Sequence, residues 1–487
     1  MTPSLPSPPV PLRDKVVIVL LAVFLSGLFL SGAYYALPST KGSSGPGGPP
    51  PTLSTTLSVG ANVSANLTAP LLGVNVRADI YGGPTILSQA HLPEFHLYRW
   101  PGGDLAERYD MMANNGQGAV YSDGTSVPGA WSTAQFVNWC ESISCQAIIT
   151  VPAEIDNATF AAMLVSYVEQ GLSFHPAYWE IGNEPGLWTH FGVPWSQWTA
   201  SQQLAVSPSQ YAQVAHAYIA AMRAVDPTIQ FIGLGGAGSS SVSEDTWIQQ
   251  TVAVNGANLS AVAIHVYPAG AGFAGENSST IYASLSGDES LPVVVPKALK
   301  AIHAGCATCS ISLLVDEFNA ATGTQLDGFL SSYQLVPYLA AEVIQGLNLS
   351  IGSLDLWVLQ GGYAGSLFTA AGNARPADTL FKEFLPELGP SVHPVYCSPA
   401  ISTLYAAATE TNGGSPQSAL FVANVNLTYA VEIALGSSGF PLSASATIMV
   451  WSGSSGGPMT ETLPAGQTSW VLPPDSVGVL TSGGSLT

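Results

Sequence analysis

Positive charge is the scarcest commodity in this chain. Lysine and arginine together number 11 against 31 aspartates and glutamates in 487 residues, a formal net charge of -20. That balance argues against nucleic acid as a partner, because phosphate binding needs basic patches. It gives no attraction to anionic lipid headgroups either. Charge of both signs is sparse, at 9% of residues against about 25% in an average soluble protein. Polar surface must therefore come from Ser, Thr, Asn, Gln and Gly. The dense Asp and Glu of a halophile are missing. Scarce charge suits an acidic exterior, with an ordinary secreted surface as the alternative. No His-Glu-X-X-His is present, and the Gly-X-Ser-X-Gly match at Gly453-Ser454-Ser455-Gly456-Gly457 lies in a Gly/Ser turn between short strands and is no strand-to-helix elbow, so a peptidase has no support. No internal repeat is visible.

Cysteine is also rare, with five in all. Cys140 and Cys145 are near enough to close a small loop, as are Cys306 and Cys309, and Cys397 is left over. In an oxidising exterior this spacing predicts two local disulfides and one thiol. The Cys306-Ala307-Thr308-Cys309 spacing also fits a redox or zinc pair, for which His303 is the only nearby further ligand. What the chain has in quantity is apolar residue, 47% of the total. A sizeable core is therefore possible, and 487 residues leave room for more than one domain or for one large barrel with an appendage.

Val16 to Leu37 is almost wholly apolar, and its length matches the roughly 20 residues of a membrane-spanning helix. Arg13 and Lys15 precede it, and Tyr34 and Tyr35 lie near its far end, as interfacial anchors do. The pattern predicts a transmembrane anchor over residues 16–37, a cytoplasmic stub over 1–15, and everything later outside the cell. A cleaved signal peptide, leaving a secreted protein, is the alternative; Ser31-Gly32-Ala33 is only a weak cleavage site. Seven Asn-X-Ser/Thr sequons, at Asn62, Asn66, Asn157, Asn258, Asn277, Asn348 and Asn426, permit glycosylation in that location.

Residues 38–53 read as a Gly/Pro/Ser linker. Residues 54–70 read as strands that join a later sheet. From residue 71 to 390 short apolar runs alternate with helical patterns. The strands expected are Leu71–Val76, Leu97–Trp100, Ala147–Val151, Ala177–Ile181, Ile229–Leu234, Ala261–Val266, Ile311–Val315 and Leu354–Leu359. Helices are expected over Ser132–Ser142, Thr159–Gln170, Ser209–Val225 and Phe329–Gln345. Eight strands separated by helices predict an α/β fold, a (β/α)8 TIM barrel. From 391 to 487 helical patterns vanish, and short strands between Gly/Ser/Pro turns predict an antiparallel β-sandwich.

The barrel reading gives meaning to two glutamates. Asn183-Glu184-Pro185 follows the fourth strand and Glu317 follows the seventh. Strand C-termini face the active site in such barrels, so both carboxyls are expected in one cleft. Two carboxyls about 5–5.5 Å apart perform retaining glycoside hydrolysis. Glu184 is then the acid/base, raised by burial and its anionic neighbour. Glu317 is the nucleophile, kept ionised by hydrogen bonds and nearby positive charge. A strand-to-helix turn with Pro at the first helical position is the plainer reading of Asn183-Glu184-Pro185. Asp316 adjoins Glu317, and simple alternation allows only one of the two into the cleft; the longer side chain at the strand end favours Glu317.

Trp179-Glu180-Ile181-Gly182-Asn183-Glu184-Pro185 resembles the acid/base motif of the clan of retaining (β/α)8 glycoside hydrolases. Tyr98-Arg99-Trp100-Pro101-Gly102-Gly103-Asp104 is similar to a segment of its arabinofuranosidase and heparanase-like β-glucuronidase families. Leu72 to Asp79 resembles their first strand, and Leu314-Val315-Asp316-Glu317-Phe318 looks like their nucleophile strand. Asn183 to Trp188 is also similar to certain endoglucanases. The resemblance spans roughly residues 54–487.

It implies that Asn183 donates to the sugar 2-hydroxyl and that Arg99 supports the nucleophile; a strand-tying salt bridge is the alternative for Arg99. Gly102 and Gly103 let the backbone approach a ligand, or make a plain turn. Asp104 binds sugar hydroxyls or caps a helix. Tyr267, which shares a strand face with His265, matches a tyrosine that hydrogen-bonds the nucleophile; a core His/Tyr pair is the alternative. Trp357 resembles the floor beneath the sugar, with Gln360 and Tyr363 as weaker candidates. Trp188, Trp195 and Trp198 form outer sugar platforms or pack a loop. The chemistry implied requires no metal and no organic cofactor, and its partner is a carbohydrate. A catalytically inactive surface glycan-binding or envelope protein on the same fold is the reading from another class.

Overall fold

A computed structural model describes residues 49–483, apart from 67–70, 79–94, 113–117, 121–125, 129–130, 193–204, 239–241, 271–276, 323–325, 350, 412–416, 437–438, 442–445, 454–457 and 465. The predicted span Val16–Leu37 lies outside the described residues. Among the described residues no helix is long and apolar enough to cross a membrane.

Eight parallel strands close into a barrel. In chain order they are Leu72–Asn75, Leu97–Trp100, Gln146–Val151, Tyr178–Ile181, Phe231–Gly235, Ala261–Val266, Ser312–Phe318 and Ser353–Leu356. Every predicted barrel strand overlaps one of these. The barrel is filled in layers by the two-residue period of a strand. Leu97, Ile148, Ile232, Ala261, Ala263 and Leu314 make an apolar layer low in the barrel. Two residues further along the same strands stand Arg99, Thr150, His265 and Asp316, and Glu180 follows Tyr178 in the same way. The polar layer therefore lies toward the strand C-termini.

Helices between the strands cover the barrel. Thr133–Ser142 begins at a capping box in which Ser132 and Gln135 satisfy each other's backbone N–H. Pro208–Arg223 starts the same way, on Ser207 and Gln210. The helix expected over Thr159–Gln170 is α-helical for Ala158–Val165 and continues as a π-helix over Ser166–Gly171. The helix expected over Phe329–Gln345 is broken into Asp327–Leu330 and Leu335–Leu347. The cause is local. Ser331 and Ser332 hydroxyls donate back to Asp327 and Phe329 carbonyls, and Ser332 Oγ takes the Gln334 N–H. Such side-chain bonds compete with the helical ladder.

The C-terminal part is two antiparallel-rich sheets. The four-stranded sheet runs Val395–Ser398, Thr52–Val59, Ala430–Leu435, Ser469–Leu472. Its strand Thr52–Val59 comes from ahead of the barrel and pairs antiparallel with Val395–Ser398 and parallel with Ala430–Leu435. The seven-stranded sheet is centred on Gln417–Asn424 and Ser476–Gly483. Leu57, Leu420, Ile433, Ile448 and Leu480 pack together between the sheets. Helix Leu335–Leu347, buried at all of its residues, lies against strands Leu404–Glu410 and Gln417–Asn424. It joins barrel and sandwich. Disulfides link Cys140 to Cys145 and Cys306 to Cys309, and Cys397 is a free thiol.

Candidate active site

Arg99 organises the polar layer. It is fully buried and spends its donors on four partners. Nε and Nη2 form a fork onto Glu180, at 2.7 and 3.1 Å. Nη1 reaches Glu317 Oε1 at 2.7 Å and Asn75 Oδ1 at 3.0 Å. Nη2 also donates to Asn183 Oδ1 at 2.8 Å. Arg99 both supports Glu317 and ties strands together, so the two readings of it hold at once. Lysine has no such planar fork.

Asp316 and Glu317 both join this layer, but only Glu317 lines the cavity above it, as expected. Alternation from Leu314 points Asp316 inward, and its Oδ2 lies 3.4 Å from Arg99 Nε. The register then slips. Ile264 pairs with Val315, but His265 pairs with Glu317. A β-bulge of this kind re-aims a side chain, and it brings Glu317 in beside its neighbour.

Glu184 follows the fourth strand in a left-handed conformation, φ 46°, ψ 58°. Its amide donates to Gly235 O at 3.0 Å. Oε1 lies 2.9 Å from His265 Nδ1, and the same nitrogen is 3.5 Å from Glu317 Oε2. These two oxygens therefore cannot be further apart than those two distances end to end. That places both carboxyls in one site, as glycoside cleavage by a carboxyl pair requires. Tyr267 donates its hydroxyl to Glu317 Oε2 at 2.8 Å. Asn183 Nδ2 is buried without a partner among the described residues, an unspent donor beside both glutamates.

The protonation pattern differs from expectation. Burial pushes Glu184 up, but the hydrogen bond from His265, its charge and that of Arg99 outweigh burial and hold Glu184 below its ordinary value. Burial pushes Glu317 up, and His265 and Arg99 only partly offset this. His265 is the reason. Burial lowers it, yet Glu317, Asp316 and Glu184 surround it and raise it well above its usual value. These shifts favour a charged imidazole beside an ionised Glu184.

A cavity of ≈ 720 Å³ opens above this layer. Asp104, Glu184, His265, Tyr267, Glu317 and Trp357 line it, together with Arg77, Glu244 and Glu289. Arg77 lies over the Trp357 ring at 5.7 Å. The indole also lies against Gly103, φ +69°, where any Cβ would collide with the ring. Burial and the Glu184 charge raise Asp104, and burial pushes Glu244 up to about 7. Gln360 is not brought to the cavity lining. It is buried, and its amide donates to Ala370 O at 3.1 Å. Tyr363 donates to Ala321 O. Trp188 is no platform; it is buried, stacked on Phe191, with its indole donating to Asn183 O at 2.7 Å. Trp195 and Trp198 lie outside the described residues.

Sequence reasoning missed Asn75, Glu180 and Arg77. Asn75 and Arg77 stand inside the first-strand segment quoted above, and Glu180 is four residues before Glu184. A two-residue count back from the strand ends finds Glu180. Glu107 was also missed; no motif marks it.

No family model matches the chain, and no curated protein matches it in sequence. Solved structures do match in fold. An α-L-arabinofuranosidase from Thermotoga maritima, in an arabinose complex, superposes with a TM-score of 0.66 at 16% identity, covering 88% of this chain and 100% of that one. A family 51 α-L-arabinofuranosidase from Bifidobacterium longum gives 0.67 at 15%, over 88% and 99%. A family 44 xyloglucanase from Paenibacillus polymyxa gives 0.61 at 12%, over 89% and 100%. The chain has the fold shared by these clan members, the (β/α)8 barrel with an appended β-sandwich.

Proposed function

We propose that this protein is a retaining glycoside hydrolase acting on glycans outside the cell. The observation that carries the reading is the meeting of Glu184 and Glu317 at one imidazole nitrogen, 2.9 and 3.5 Å away. Glu184 protonates the leaving oxygen while Glu317 attacks the anomeric carbon; Glu184 then takes a proton from the water that releases the sugar. Arg99 and Tyr267 hold the two Glu317 oxygens in place. The proton that Glu184 delivers waits one hydrogen bond away, on His265. Asn183 Nδ2 is free to meet the sugar 2-hydroxyl. Double displacement of this kind calls on no metal and no organic cofactor.

The cavity favours neutral sugars. Asp104, Glu184, Glu244, Glu289 and Glu317 face it against Arg77 and His265, so a uronate meets a predominantly acidic wall. The tethered location is supported by the apolar run Val16–Leu37 and by the two disulfides, which persist in oxidising compartments. Resistance of the full-length protein to alkaline carbonate extraction from membranes tests the tether; release into the soluble fraction contradicts it.

The catalytic reading is tested with 4-nitrophenyl glycosides. Wild type is expected to cleave at least one of the α-L-arabinofuranoside, β-D-glucoside and β-D-xyloside, and to cleave the β-D-glucuronide at least roughly tenfold less well, about 1.4 kcal/mol. Glu184→Gln and Glu317→Gln are each expected to lose about 10²–10⁴-fold. Wild-type rates in both variants would sink the reading.

A further inference from the structure

Both backbone polar groups of Asn183 are held by side chains. The N–H donates to Glu107 Oε1 at 2.6 Å, and the carbonyl accepts from the Trp188 indole at 2.7 Å. Glu107 ends the 3-10 helix Gly103–Glu107, which follows the second barrel strand. Its other oxygen accepts the Ala153 and Glu154 N–H groups, each at 2.7 Å. One buried carboxyl thus binds together the segments that follow barrel strands two, three and four. Gly182, φ +70°, marks how tightly they meet; a Cβ there would come within 2.6 Å of the Trp188 ring and 3.0 Å of Glu107. The next peptide leads into Glu184, whose left-handed backbone costs of order 1–3 kcal/mol and persists only where its surroundings over-determine it. The grip on Asn183 supplies that constraint. Glu107 does not line the cavity.

We propose that Glu107 is a positioning residue that fixes the turn bearing Glu184, and with it the aim of the leaving-group proton. This rests on the acid/base reading of Glu184. A glutamine at 107 keeps shape but has no lone pair on its amide nitrogen, so one of the three N–H contacts becomes donor against donor. Phenyl glycosides need a proton on the leaving oxygen and 2,4-dinitrophenyl glycosides do not, so the pair isolates the acid.

The experiment measures kcat/KM for phenyl and 2,4-dinitrophenyl α-L-arabinofuranosides, β-D-glucosides and β-D-xylosides with the full-length chain. Glu107→Gln is expected to lose about 10–100-fold on the phenyl substrate and much less on the dinitrophenyl one. Trp188→Phe, which releases the Asn183 carbonyl, is expected to show the same selectivity at smaller size, and decides the matter if Glu107→Gln does not fold. Equal loss on both leaving groups, or no loss, overturns the proposal. Glu184→Gln is the control. If its own loss is equal for the two leaving groups, or if wild type cleaves none of the six substrates, the acid/base reading fails first and takes this proposal with it.

Discussion

Around Arg99 the barrel buries the carboxyls of Glu180, Asp316 and Glu317 with Asn75 and Asn183. Between the two sheets of the sandwich, the same chain packs Leu57, Leu420, Ile433, Ile448 and Leu480 against one another. Burying an ion pair gains little over an apolar core, whereas removing one partner leaves the others uncompensated. On the proposed function the polar layer is placed where reaction requires it, and the sandwich is built for cohesion. A change in one region should report on activity and a change in the other on stability.

Arg99→Met breaks the comparison from the barrel side. It strands the carboxyls that Arg99 neutralises, so it should destabilise by about 3–5 kcal/mol and abolish hydrolysis in whatever protein is recovered. Leu420→Ala breaks it from the other side. It should cost about 2–5 kcal/mol in chemical denaturation while kcat/KM stays at the wild-type value. A Leu420→Ala protein that is stable but inactive would show the two regions to be coupled.

The seam between them sharpens the contrast. Glu342 lies in helix Leu335–Leu347, fully buried, with neither oxygen bonded among the described residues. Burial pushes its carboxyl well above the ordinary 4.5, and burial likewise takes Glu244 up to about 7. A carboxyl whose folded value is raised binds its proton more tightly when folded. Its stabilisation is complete below the unfolded value and is lost as pH rises through the folded one. Thermal stability should therefore fall as pH climbs from about 4.5 to about 7. Glu342→Gln should flatten that slope by about 1.4 kcal/mol per pH unit. Parallel slopes for wild type and variant would remove Glu342 from the account. The direction agrees with the sparse charge of the sequence and its suitability for acid surroundings.

Much of the barrel was legible because its strands are short apolar runs spaced by amphipathic helices, and a two-residue period needs no tertiary knowledge. That Glu184, Glu317, His265, Tyr267 and Trp357 line one cavity was legible because each stands at a strand end, where the fold itself supplies the address. What stayed hidden depends on contacts across strands. The slip that admits both Asp316 and Glu317 is a matter of register with Ile264 and His265. The protonation pattern turns on one imidazole lying between two carboxyls. Gln360 looked available from its position, but its turn carries the amide to Ala370 O. Glu107 acts through backbone N–H groups, which leave no trace in side-chain spacing.

The central claim is a covalent step at Glu317. Incubating the protein with the 2-deoxy-2-fluoro-2,4-dinitrophenyl analogue of whichever neutral glycoside it cleaves, then digesting it for mass spectrometry, tests that step directly. The account predicts one sugar attached to the peptide containing Glu317 and none in Glu317→Gln. A protein that hydrolyses the parent glycoside yet carries no label, or carries it on another residue, would contradict it.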